Sequence, residues 1–126
     1  MTNQSDNRFA FSTLLDAMPD AIVIVDAGGR IVDVNVHVVG MFGYTRQELI
    51  GEPVETLMPE RFRDGHVGDR NAYAQKPHVR PMGLGLELFG MRKDGQEFPI
   101  EISLAPYHSP DGPLVVAAVR DVTGRK

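Results

Sequence analysis

Histidines and carboxylates are the main side chains available for chemistry here, because the 126-residue chain contains no cysteine. Without a thiol there is no disulfide, thiolate metal site, cysteine nucleophile or covalent thiol adduct to a chromophore. The four histidines, His37, His66, His78 and His108, stand in four separate segments. None has the i, i+4 or local spacing of common metal sites, so no metal is expected. On a helix, His66 would share a stripe with Phe62, Asp69 and Tyr73, all within about 60° of one another. A lone histidine in such a stripe is more often a hydrogen-bonded structural residue than a ligand. Glu52 and Glu55 form a carboxylate pair in a polar stretch, where solvation is the ordinary explanation. Gly83-Leu84-Gly85 lacks a third glycine at dinucleotide spacing and runs into a strand, not a helix. With no nucleophile elbow or phosphate loop either, no catalytic residue is expected.

The chain that must position these groups has the length of one domain. Thirteen basic against seventeen acidic residues give a net charge of −4, which argues against nucleic-acid binding. Arg61, Arg63 and Arg70 alternate with Glu60, Asp64 and Asp69, as on a solvated helix face. Apolar runs such as Ala21 to Val25 are too short to cross a bilayer, and the polar start MTNQSDNRF lacks the marks of a signal peptide. A cytoplasmic location without direct membrane insertion is therefore the expectation.

Apolar spacing at Phe11, Leu14, Leu15 and Met18 predicts an N-terminal helix ended by Pro19. Ala21–Val25 and Ile31–Val34 read as a hairpin around Asp26-Ala27-Gly28-Gly29. Asn35 is placed to cap a helix reaching Phe42 and closed by Gly43, and Thr45…Glu48 has capping-box spacing. A helical turn follows over 53–58, and residues 60–75 form the longest helical candidate, weakened by Gly65 and Gly68. Leu84, Leu86 and Leu88 alternate as a strand, as do Phe98, Ile100, Ile102 and Leu104, with a tight turn at Lys93–Gln96. Ser109–Gly112 makes the next turn, and 114–122 the final strand. Hairpin-linked strands with segregated helices predict an α+β fold with an antiparallel sheet.

These segments resemble the PAS family of sensory domains. The resemblance rests on Asp20-Ala21-Ile22 with Asp26 and Val34-Asn35, on Phe42-Gly43-Tyr44 leading to Glu48-Leu49 and Gly51, and on Met58-Pro59-Glu60. Arg92-Lys93-Asp94-Gly95 with Phe98-Pro99, and the ending Arg120-Asp121-Val122-Thr123, complete it in order. It implies a five-stranded antiparallel sheet of order 2-1-5-4-3 with short helices on one face, over residues 11–123. Residues 1–10 would then be a flexible tail, and 124–126 the start of a linker to an effector such as a histidine kinase or transcription regulator. It further implies a signalling module of bacterial type, a homodimer, and signal output through Arg120, Asp121 and Thr123. The apolar Val36-His37-Val38-Val39 departs from the small or polar residues and acid usual in that helix. Either the helix packs deeply or its apolar surface awaits a partner.

Ligand chemistry stays open at this level. The thiol adducts of flavin and coumarate relatives are excluded, leaving only non-covalent flavin from those classes. His66 falls where FixL-type haem sensors place their axial histidine, with Phe62 and Tyr73 as porphyrin walls, although Leu86 stands where those sensors carry an arginine. An apolar, fatty-acid-like ligand would be lined by Leu84, Leu86, Phe98, Ile100, Ile102 and Leu104. The plainer expectation is no tightly bound cofactor, those stripes simply filling the core. A ligand-binding chemosensor and a pure protein-interaction module therefore both remain.

Overall fold

Backbone pairing in the computed structural model, which describes residues 13–63, 79 and 88–124, builds one antiparallel sheet. Its strands are β1 (Ala21–Asp26), β2 (Ile31–Val34), β3 (Leu88–Met91), β4 (Glu97–Ser109) and β5 (Gly112–Asp121). They lie in the order β2-β1-β5-β4-β3. The long β4–β5 pairing runs from Ile100↔Asp121 to Ser109↔Gly112, and β1 pairs along β5 from Ala21↔Val119 to Asp26↔Leu114. The sheet architecture is the one expected.

Local chemistry sets the turns. The Asp26 carboxylate accepts from the N–H groups of Gly28 and Arg30, at 2.9 and 3.0 Å, closing the β1–β2 hairpin. Between β3 and β4, Asp94 accepts from the Gln96 N–H at 2.9 Å, and Gly95 takes φ 92°, a region open to glycine at little cost.

Helix α1 occupies residues 13–17 and stops before Pro19. Helix α2 (Val36–Phe42) starts at Asn35 and ends at Gly43 in the left-handed conformation. Helix α3 (Arg46–Leu49) carries the full capping box between Thr45 and Glu48. Two 3₁₀ turns follow, Val54–Leu57 and Glu60–Phe62. Only the start of the proposed 60–75 helix is described; its remainder, the N-terminal tail and the Leu84–Leu86 part of the strand lie outside the described residues.

Strand period divides the core between the two faces of the sheet. Ala21, Val23 and Val25 of β1, Phe98 and Ile100 of β4, and Ala117 and Val119 of β5 face α2, α3 and the first 3₁₀ turn. Val38, Phe42 and Leu49 plug that face, each worth about 1.5–3 kcal/mol when fully buried. Ile22 and Ile24 point the other way, where Leu15 of α1 joins them against Leu114, Val116 and Ala118. Leu15 thus anchors α1 on the sheet, opposite α2, while Leu14 and Met18 stay exposed.

Two surface readings need correction. Glu55 is buried at 5% exposure, not solvated, because its tight turn is held against the β2 edge by the Arg30–Pro53 bridge and by the Val54 N–H donating to Gly29. Arg61 is exposed but forms a bidentate pair with Glu97 across the chain, so it does more than balance its acidic neighbours.

Candidate functional site

The inner sheet face carries the described part of the proposed ligand wall. Phe98 and Ile100 are buried in the main core, and Ile102 is partly buried against it. The Phe98 ring meets Phe42 at 5.3 Å between centroids, tilted by 54°. Gly90 of β3 permits that pairing: a Cβ there would lie 2.9 Å from Phe42 Cε1 and 3.0 Å from Phe98 Cζ. At this end of the sheet, aromatic rings fill the space between β3, β4 and α2.

Phe62 lies elsewhere. It is 41% exposed and stacks on Phe89 at 6.3 Å, with the Arg61 guanidinium 4.5 Å above its ring. Glu97 accepts from both terminal nitrogens of that guanidinium, at 2.6 and 2.7 Å. The ion pair holds the Glu97 carboxyl below the usual carboxylate range. His66, Tyr73, Leu84 and Leu86 lie outside the described residues. Of the other histidines, His37 sits on exposed α2 surface and His108 at the far end of β4; His78 is outside the described residues.

A polar corner joins the chain's first described turn to the end of its last strand. Asn35, only 1% exposed, accepts from the Ile22 N–H at 2.9 Å and caps α2 through the Val38 N–H. Its amide nitrogen donates to the carbonyls of Leu15 and Asp20, at 2.8 and 2.9 Å. The Asp20 carboxylate in turn receives the Arg120 guanidinium at 3.3 Å. One residue on, Asp121 accepts from the Thr123 backbone N–H at 2.9 Å and from its hydroxyl. Arg120, Asp121 and Thr123 therefore sit together where β5 leaves the sheet, tied through Asp20 and Asn35 to α1. Sequence reasoning read Asn35 only as a helix cap; its position between two β-branched runs was the available sign of burial.

A second clamp holds the β3–β4 turn to the helices. Arg92 donates to the Met41 carbonyl at 2.6 Å, near the end of α2, and the Lys93 N–H donates to the Phe42 carbonyl at 2.8 Å. The Lys93 ammonium pairs with Glu48, whose other carboxylate oxygen closes the capping box at the Thr45 N–H. Lys93, with help from Thr45, holds the Glu48 carboxyl below its ordinary range.

Among the described residues, no helix is long and apolar enough to cross a membrane, and no group of three or more potential metal-ligating residues comes together.

Comparison with known proteins adds the following. A family model described as "PAS domain" matches residues 19–124. The sensor protein FixL of Bradyrhizobium diazoefficiens is 33% identical over 113 residues, which make up 88% of this chain and 22% of that protein. An uncharacterized protein of Azorhizobium caulinodans is 32% identical over 115 residues, 89% of this chain and 15% of its own length. The chain thus spans under a quarter of these relatives. Among solved structures, the PAS domain of a Colwellia psychrerythraea protein superposes with TM-score 0.76 at 24% identity, covering 95% of this chain and all of that one (100%). A domain of a sensory box sensor histidine kinase/response regulator from Geobacter sulfurreducens gives TM-score 0.67 at 26% identity, with 92% and 96% covered.

Proposed function

The chain belongs to the PAS domain family, and from that premise we propose that it is the input module of a larger signalling protein, regulating an attached effector such as a histidine kinase. The observation that carries this reading is the tie between the β5 exit and the body of the domain. Arg120 grips Asp20, and Asp20 shares Asn35 with α1 and α2. A ligand or partner that favours one arrangement of the sheet shifts the population, and the difference leaves through Arg120, Asp121 and Thr123. The similarity to FixL and to a sensor histidine kinase domain supports the choice of effector class.

The stimulus acts on the inner sheet face in this reading. Phe98, Ile100 and Ile102 would contact a small apolar ligand together with Leu84 and Leu86, or would transmit strain from a partner domain. The domain works as a homodimer in the cytoplasm, and the chemistry resides in the effector. The test takes the parent protein, native and Arg120→Gln, and measures effector activity with and without the native stimulus. Loss of regulation with the domain still folded supports the relay; full regulation in the variant refutes it. An absorption spectrum and denaturing mass spectrometry of extracted ligand then separate a chemosensor from a ligand-free interaction module. A Soret band abolished by His66→Ala would assign the module to haem sensing.

A further inference from the structure

Away from the inner face, a cleft of about 320 Å³ opens between α1, the end of β2, α2 and α3. Its apolar wall comes from Leu15, Val34, Val36 and Val39, and its charged groups are Asp16, Asp33 and Arg46. The valines are the unusual apolar run of α2. Val38 accounts for the part that packs deeply, whereas Val36 stays 53% exposed and Val39 half-buried, both facing this cleft.

Hydrogen bonding leaves specific capacity unused. Arg46 donates through Nε to Asp33 at 2.8 Å, and its two terminal nitrogens have no partner among the described residues. Asp16 accepts from the Val36 N–H at 2.9 Å through Oδ1, and its second oxygen is likewise unpartnered among them. Asp33 spends one oxygen on Arg46 and on the Val34 N–H, leaving the other. Unused carboxylate oxygens on Asp16 and Asp33 and the unused guanidinium edge of Arg46 give the cleft separate places for a cationic and an anionic group. The guanidinium's free edge is shaped for a carboxylate. The valine and leucine wall asks for a branched alkyl group between them.

We propose that this cleft binds a zwitterionic amino acid with a branched apolar side chain: its ammonium group between Asp16 and Asp33, its carboxylate on the terminal nitrogens of Arg46, and its alkyl group on Val36 and Val39. Occupancy bridges α1 to α2 and α3, so it favours the state in which α1 stays docked. The site is independent of the inner-face reading above.

The experiment is two-dimensional amide NMR of the purified domain titrated with L-leucine. Its controls are 4-methylpentanoate, which lacks the ammonium group, and isoamylamine, which lacks the carboxylate. Leucine should give saturable shifts at Val34, Val36 and Arg46 with affinity on the order of millimolar, and both controls should bind at least about tenfold more weakly. Arg46→Gln should weaken leucine by about tenfold through loss of a charge-assisted contact. Asp16→Asn keeps an acceptor for the Val36 N–H and should weaken leucine and isoamylamine alike. No saturable shift up to the solubility of leucine overturns the site. So do shifts confined to Phe98–Leu104, or equal binding of either control. Unchanged leucine affinity in both variants, with dispersed spectra, overturns the assigned contacts.

Discussion

Replacing Asn35 by alanine should remove more stability than any other single polar substitution among the described residues. The substitution deletes the α2 cap, which costs about 0.5–2 kcal/mol. It also orphans the buried Ile22 N–H and the Asp20 carbonyl, and takes one of two donors from the Leu15 carbonyl, which keeps the Met18 N–H at 3.2 Å. Each buried group left without a partner costs about 1–3 kcal/mol, although part of this is recovered where water reaches the Asp20 side. The combined loss is about 4 kcal/mol, because the terms share one side chain and do not add fully. With a urea slope of about 1.5 kcal/mol/M for a domain of this size, the midpoint falls by roughly 2.5 M. Hydrogen exchange adds a local readout: amides of α1 and the start of β1 should lose protection before those of β4 and β5. A midpoint drop below about 0.7 M, equivalent to about 1 kcal/mol on that slope, would refute the assignment of Asn35 as the hub. Uniform loss of protection across the sheet would refute the local tie to α1.

Three further outcomes follow from other contacts. Gly90→Ala forces a methyl group into the Phe42 and Phe98 rings and should cost about 1–3 kcal/mol by overpacking, measured by thermal unfolding; combining it with Phe98→Leu should recover part of the loss. The Glu48 carboxyl, depressed by Lys93 and Thr45, should titrate by carbon-detected NMR below the ordinary glutamate midpoint, and Lys93→Met should move it back upward. Because its folded pKa is lowered, the stabilisation from this contact is present above the unfolded pKa and fades as pH falls through the folded one, so Glu48→Gln should flatten that acid limb. Arg61→Ala should release the Glu97 carboxyl toward its ordinary pKa and loosen the Phe62–Phe89 stack, seen as ring-current shifts at Phe89.

Much of the fold was legible because its signals are local. Asp26 and Gly29 mark a hairpin, Thr45 and Glu48 a capping box, and Phe98 to Ile102 a period-2 strand, and each needs only near neighbours in sequence. What stayed hidden depends on partners far apart in the chain. The burial of Asn35 comes from contacts 13 and 20 residues upstream. Arg61 finds Glu97 36 residues away, and Lys93 reaches back 45 residues to Glu48. Glu55 misled for the same reason: polarity in a short segment suggests solvent, but the turn is set by the β2 edge it leans on. Of the residues proposed as a ligand wall, Phe98, Ile100 and Ile102 lie on the inner face of the sheet with the main core. Phe62 does not join them, because the 3₁₀ turn Glu60–Phe62 sets it on Phe89 instead.

The relay from core to exit is tested most directly by following the amides of Arg120, Asp121 and Thr123 while Ile100, on the inner face, is changed to valine. If the sheet moves as one bistable layer, those three signals shift along a common line shared with α1 residues, and Asp20→Asn abolishes the correlation. Shifts that stay within β3 and β4, with the exit signals unmoved, would show that the inner face and the exit are not connected.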